Sequence, residues 1–216
     1  MSTAGWFGDR AVLVETGTAQ ERDHVHAALT GSGLPGSVRT GLTAVLLEID
    51  TPDPGLLDSV RAVLADAVPQ STSPLVAHRT VEIAVSYDGS DLDQVAHDLG
   101  VTAEALVRAH SSQSWRVAMM GFAPGFGYLE PVGEMLVDWA VLGRRASPRN
   151  RVPAGSVAVA AGMSAVYPQP MPGGWHLLGS TDAVLFDASA VDRPSLLQSG
   201  DTVRFVPTVK DGAARA

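Results

Sequence analysis

The 216-residue chain has no cysteine, which excludes disulfides, thiol nucleophiles and thiolate metal sites together. Lysine is almost as scarce, Lys210 near the end being the only one. The body of the chain therefore has no phosphate-loop lysine, no Schiff-base lysine and no biotinylation site. A reaction using ATP or biotin would place those steps on another chain. No apolar run approaches the roughly 20 residues of a membrane span. Residues 1–5 carry neither a basic stretch nor an apolar leader, so a cytoplasmic protein with no membrane partner is expected.

Positive charge is in deficit as well. Fifteen basic residues face 23 acidic ones, a net charge of -8, which disfavours a nucleic-acid surface. There is no G-x-S-x-G elbow, no H-E-x-x-H helix and no phosphate loop. The histidines are scattered without metal-ligand spacing, so no metal site is expected.

What the chain does have is concentrated between residues 121 and 181. Two glycine- and proline-rich stretches carry aromatics: Gly121-Phe122-Ala123-Pro124-Gly125-Phe126-Gly127-Tyr128 and Pro172-Gly173-Gly174-Trp175. Glycine permits positive φ and close backbone approach, and proline fixes φ while removing a donor. On their own, such turns read as tight corners of a β-rich barrel plugged by aromatics. Between them, however, Arg144, Arg145, Arg149 and Arg151 place four positive charges and no negative one within residues 144–151. Such a stretch suits a small carboxylate or phosphate, each charge-assisted bond to arginine being worth about 1.5–3 kcal/mol. The plainer alternative is a solvated loop, which fits Arg149 least because Pro148 precedes it.

Around this centre the hydrophobic pattern predicts two domains, residues 1–74 and 75–216. In the first, strands at 11–15 and 44–49 alternate with a helix from 19 to about 29, capped by Thr18 and stopped by Gly31 and Gly33. A second helix is capped by Asp53, starts at Pro54, and puts Leu56, Leu57, Val60, Val63 and Leu64 on one face. His24 and His26 lie two apart on the first helix and read as solvated. Residues 69–74 read as a linker. In the second domain, a strand at 80–87 turns Val81, Ile83 and Val85 inward. Two short helices follow, one capped by Asp91 and ended by Gly100, the other capped by Thr102.

His110 closes the second of these helices, where it either meets the last carbonyls or lines a pocket. A strand at 115–120 feeds the first glycine-rich turn. Further strands are expected at 156–160, 165–167, 175–178, 183–186 and 202–206, a series that indicates a sandwich or barrel. Residues 210–216 read as a loose tail. The pocket so assembled offers backbone donors, hydroxyls (Ser147, Ser156, Ser164, Ser180, Thr181), Tyr128, Tyr167 and arginines. These groups bind carboxylates and stabilise oxyanions, but they include no obvious base or nucleophile.

The chain resembles the family of 5-oxoprolinase B subunits, also called allophanate hydrolase subunit 1 or KipI. The most specific matches are residues 121–129, Ser147-Pro148-Arg149, residues 152–157, Tyr167-Pro168 and residues 172–179. Weaker ones are Gly8-Asp9, residues 88–92, His110 and residues 200–205. The resemblance implies an α+β chain, a small N-terminal α/β domain followed by a cyclophilin-like β-barrel. It implies a C-type and an A-type partner subunit, ATP used by the complex with no cofactor in this chain, and opening of 5-oxoproline to L-glutamate.

Arg149 and Arg145, with Phe122, Pro124, Tyr128, Tyr167, Trp175 and His110, would bind the substrate. Backbone N–H groups at Gly125 and Gly155, with Ser156, would polarise the ring carbonyl. Two other readings attach to the same resemblance, an allophanate substrate and a non-enzymatic inhibitor of a sensor histidine kinase. Prolyl isomerisation rests on fold analogy alone. The sequence departs from the family in having Met163-Ser164 where a Gln-Thr pair is usual, and Gly143 in place of a proline. The tract between the first helix and the second strand is also short.

Overall fold

The computed structural model describes residues 3–66 and 79–208. The linker reading of residues 69–74 and the tail reading of residues 210–216 fall outside them. The chain divides into two compact units, Met1–Ala77 and His78–Ala216.

In the N-terminal unit, strands β1 (Thr3–Trp6), β2 (Ala11–Glu15), β3 (Ser37–Thr40) and β4 (Ala44–Glu48) form an antiparallel sheet in the order β1-β2-β4-β3. Strands β1 and β3 are additional to the sequence reading. Helix α1 (Ala19–Gly31) begins where expected: Thr18 Oγ1 accepts the Glu21 N–H at 3.1 Å, and the Glu21 carboxylate accepts the Gly17 N–H. One orphan donor at the helix start and the N–H of the residue before the cap are thus satisfied by side chains. Helix α2 (Leu56–Asp66) starts two residues later than Pro54, because the Asp53 carboxylate accepts the Gly55 N–H and folds residues 53–55 into a turn. Val12 and Val14 on β2, Val45 and Leu47 on β4, and Val25, Leu29, Leu56 and Val60 on the helices make the core. His26 is not simply solvated, since its Nδ1 lies 2.8 Å from Thr40 Oγ1 on β3.

In the second unit, β5 (Thr80–Val85), β6 (Ser114–Met120), β7 (Gly127–Val132), β9 (Ser156–Ala160), β10 (Met163–Val166), β12 (His176–Ser180) and β13 (Thr202–Pro207) form one sheet. Its order is β12-β9-β10-β7-β6-β13-β5. The two edges meet where Ser86 and Ser180 exchange backbone hydrogen bonds of 2.9 and 2.8 Å, so the sheet nearly closes into a barrel. Closure removes exposed strand edges. Strands β5 and β13 run parallel, joined residue for residue from Thr80↔Thr202 to Val85↔Pro207. Helices α3 (Leu92–Asp98) and α4 (Ala103–Ser112) follow β5, and Thr102 caps α4 through the Ala105 N–H.

Strand β9 is buried on both faces. Val157 and Val159 point into the barrel core with Ile83, Val117, Leu129, Val203 and Phe205. Ala158 and Ala160 point to a second, outer cluster of Phe126, Tyr167, Trp175 and Leu177. Over that cluster lies a two-stranded ribbon, β8 (Arg149–Val152) with β11 (Met171–Gly173), whose Val152 and Met171 join it. Two expectations are corrected here. Pro172 and Gly173 belong to a ribbon strand rather than to a turn. Residues 183–186 form no strand: Leu185 alone is buried, Val184 is exposed, and Phe186 makes only an isolated bridge to Ser195.

Candidate functional site

The outer cluster forms an aromatic shelf. Phe126 packs edge-to-face with Phe122, Tyr128, Tyr167 and Trp175 at centroid distances of 5.1–6.1 Å, and Tyr128 meets Trp175 in the same way. These are favoured quadrupole geometries. Four of the expected site residues, Phe122, Tyr128, Tyr167 and Trp175, are therefore neighbours. Tyr167 is buried, and that burial raises its hydroxyl pKa, while the Trp175 N–H and the charge of Arg144 pull the other way. Phe122 is 62% exposed and holds φ at 71°. A bulky side chain at positive φ is a strained position of the kind that clusters at functional sites.

The arginines are organised by a carboxylate that the sequence reading treats only as a helix cap. Asp91 makes no side-chain bond to the α3 terminus. Its Oδ1 accepts from Arg145 Nη1 at 2.7 Å and from Arg149 Nη2 at 2.8 Å, and its Oδ2 accepts the Leu177 N–H of β12 at 2.8 Å. Ser90 Oγ accepts a further bond from Arg149 Nη2. Burial would raise the Asp91 pKa. The Arg149 hydrogen bond, the Leu177 amide and the charges of Arg149 and Arg145 outweigh that and hold it below the usual carboxylate value.

The arginine stretch therefore does have a negative partner, supplied from residue 91. One carboxylate between two guanidiniums still leaves a net positive charge. Arg149 Nη1 and Arg145 Nε are buried and have no hydrogen-bond partner among the described residues. Arg144 and Arg151 stay exposed. The shelf and the arginines adjoin, because Gly173 pairs with Arg149, the Arg145 N–H bonds the Gly174 carbonyl, and Tyr167 feels the charges of Arg144 and Arg149.

The oxyanion-hole residues are placed differently from expectation. The Gly155 N–H donates to the Tyr167 carbonyl at 2.8 Å and the Ser156 N–H to the Pro153 carbonyl, so both amides serve the barrel itself. At Gly155, with φ +75°, a Cβ would collide with the Thr181 carbonyl oxygen. Gly125, with φ +80°, packs instead on Leu185 and Phe186. Both glycines are required for backbone packing, and their close approaches are to different parts of the 181–186 segment.

His110 is fully buried in the barrel core, stacked on Phe205 and edge-on to Trp139. Neither helix carbonyls nor a pocket claim its ring. Its Nδ1 lies 2.8 Å from the Tyr87 hydroxyl and its Nε2 lies 2.9 Å from Ser164 Oγ, which donates onward to the Ala158 carbonyl. That chain is self-consistent for a neutral ring protonated on Nε2. Burial lowers its pKa to about 3. Ser164 thus faces the core, whereas Met163 faces the outer cluster.

Pro124 is exposed on the turn below Phe122 and lines a cleft of about 480 Å³. Beside that cleft stands a second buried carboxylate. Asp201 Oδ2 accepts from Arg79 Nε at 3.2 Å, Arg193 Nη2 at 3.2 Å and the Gln198 N–H at 3.0 Å. Sequence reasoning passes over this cluster. Among the described residues, no group of three or more acidic or histidine side chains fits a metal ion, and no helix is long and apolar enough to cross a membrane.

The second unit is thus a nearly closed barrel with an outer aromatic shelf and, beside it, an arginine pair anchored by one carboxylate. The chain belongs to the carboxyltransferase domain family, subdomains C and D, whose model matches residues 3–197. It is 46% identical over 132 residues to the 5-oxoprolinase B subunit of Escherichia coli O157:H7, a match covering 60% of this chain and 58% of that one. The crystal structure of TTHA0988 is 31% identical with a TM-score of 0.70, covering 93% of this chain and 40% of its own. The urea carboxylase of Kluyveromyces lactis shares the fold at 19% identity and a TM-score of 0.75, covering 96% of this chain and 22% of its own. The chain spans 54–59% of the length of the curated 5-oxoprolinase B subunits it matches.

Proposed function

We propose that this chain is a cytoplasmic, non-autonomous component of an ATP-dependent 5-oxoprolinase complex that opens 5-oxo-L-proline to L-glutamate. The observation that carries the reading is the anchored guanidinium of Arg149. Asp91 and Ser90 fix one edge of it, and its buried Nη1 has no hydrogen-bond partner among the described residues. An unpaired buried donor costs about 1–3 kcal/mol, and a substrate carboxylate would satisfy it with a charge-assisted bond. Arg145, held by the same carboxylate, would offer its Nε alongside. The flat ring of the substrate would lie against the half-exposed edge of Tyr128 and the exposed ring of Phe122, with Trp175 and Tyr167 behind them.

Opening the ring adds one water across its amide C–N bond, and a developing oxyanion needs preorganised donors. The Gly155 and Ser156 amides are already engaged, so a C-type subunit facing the shelf would supply them. An A-type subunit would handle ATP. The names of the curated relatives and the scarcity of lysine support this division of labour.

The test is ATP-dependent glutamate release from 5-oxoproline by this chain co-expressed with its A-type and C-type partners, each omitted in turn. Activity that vanishes without this chain is expected. Undiminished release without it overturns the proposal. A well-formed complex that releases no glutamate redirects the assay to allophanate, and failure to assemble redirects it to a histidine-kinase partner.

A further inference from the structure

We propose that the barrel unit carries a second small-anion site, the cleft on the other flank of the 121–125 turn, and that its ligand is a small monocarboxylate. The rings of Phe122 and Phe126 leave this turn towards the shelf, whereas Gly121, Pro124 and Gly125 wall the cleft. The opposite wall comes from residues 192–199, among them Arg193.

Three observations define the chemistry. First, Arg193 brings a guanidinium to the cleft wall, and Asp201 fixes one edge of it. Asp201 is shared between Arg193 and Arg79, and it also takes the Gln198 N–H. Two guanidiniums share this one carboxylate, as they do at Asp91. Arg193 Nε is buried with no hydrogen-bond partner among the described residues. A guanidinium fixed at one edge and unpaired at another is organised for a carboxylate. Second, Asp192 also lines the cleft. Its exposed carboxylate opposes a second negative charge on the ligand, which sets the preference for a monocarboxylate over the phosphate dianion. Third, Met120, Pro124 and Leu197 add apolar lining to the cleft, and Ser199 adds a hydroxyl. A volume of about 480 Å³ suits a ligand of small-metabolite size.

The site is independent of Arg149 and of the oxoprolinase reading. The experiment is a titration of the isotopically labelled full-length chain, followed by amide chemical shifts, with propionate as probe and inorganic phosphate as the competing chemistry. Propionate is expected to shift the amides of residues 121–125 and 193–199 saturably, and phosphate to bind at least about tenfold more weakly. Arg193→Gln should weaken propionate about ten- to a hundredfold, the loss of one charge-assisted contact. Ser199→Trp, which narrows the cleft while keeping Arg193 and Asp201, should do the same if the glutamine variant fails to fold. Arg149→Ala should leave these shifts unchanged. Equal binding of phosphate, undiminished binding in both cleft variants, or loss of these shifts in Arg149→Ala alone would each overturn the proposal. The last result would place the ligand at the Asp91 cluster and leave the oxoprolinase reading standing.

Discussion

Asp91 and Asp201 are built alike and placed differently. Each is a buried carboxylate that accepts one backbone N–H and bridges two arginines. At Asp91 the arginine side chains are 31% and 24% exposed; at Asp201 they are 39% and 36% exposed. The Asp91 cluster joins the start of α3, the β8 ribbon and β12, and it adjoins the aromatic shelf. The Asp201 cluster ties the entry to β5 to the loop before β13, beside an open cleft. One motif can thus hold its arginine side chains somewhat deeper or somewhat nearer the surface.

The comparison breaks most readily by removing the carboxylates. Asp91→Ala leaves two partly buried guanidiniums and the Leu177 N–H unpaired. It should destabilise the barrel by about 2–4 kcal/mol, below the full figure for a buried pair because the arginines touch solvent. Asp201→Ala should cost less, about 1–2 kcal/mol. Urea unfolding of both variants checks the order, and equal losses would mean that exposure does not set the difference.

Acid titration separates Asp91 from the core histidine. The folded pKa of His110 is lowered to about 3, against about 6.5 in the unfolded chain. The unfolded state therefore binds the proton first. Stability is full above about pH 6.5 and declines towards pH 3, at no more than about 1.4 kcal/mol per pH unit. Asp91, whose pKa is depressed in the fold, contributes above its unfolded value of about 3.9 and loses that contribution only as pH falls below it. Unfolding midpoints of His110→Gln should thus be flatter than wild type between pH 6.5 and 4, and those of Asp91→Asn flatter only below that. His26, lowered by burial, adds a slope of the same sign in the N-terminal unit. The smallest effect belongs to Ser90→Ala, which removes one exposed bond to Arg149. It should change stability by less than about 1 kcal/mol, measurable in the same urea series.

Much of the fold is legible in the sequence because periodicity and caps are local. The strands at 11–15 and 156–160 and the Thr18 and Thr102 caps stand where pattern reasoning puts them, and the strand expected at 80–87 forms over Thr80–Val85. The ribbon β8–β11 is not legible: Arg149-Asn150-Arg151 and Met171-Pro172-Gly173 have no alternation, and their pairing is fixed only by the cluster beneath. Residues 183–186 mislead in the opposite direction, an apolar run in which Leu185 alone is anchored. At the site, the aromatic turns and Arg149 are visible as composition. Asp91 is hidden because an aspartate before a helix already has a sufficient local reason to be there. Arg79 and Asp201 are hidden because only the parallel pairing of β5 with β13 brings residues 122 apart in sequence together.

The most direct test of the account is the steady-state kinetics of Arg149→Ala in the assembled complex, with 5-oxoproline as the varied substrate. If Arg149, anchored by Asp91, holds the substrate carboxylate, KM should rise about ten- to a hundredfold, the loss of one charge-assisted contact, and Arg149→Lys should recover only part of it. An unchanged KM and kcat would contradict the central claim.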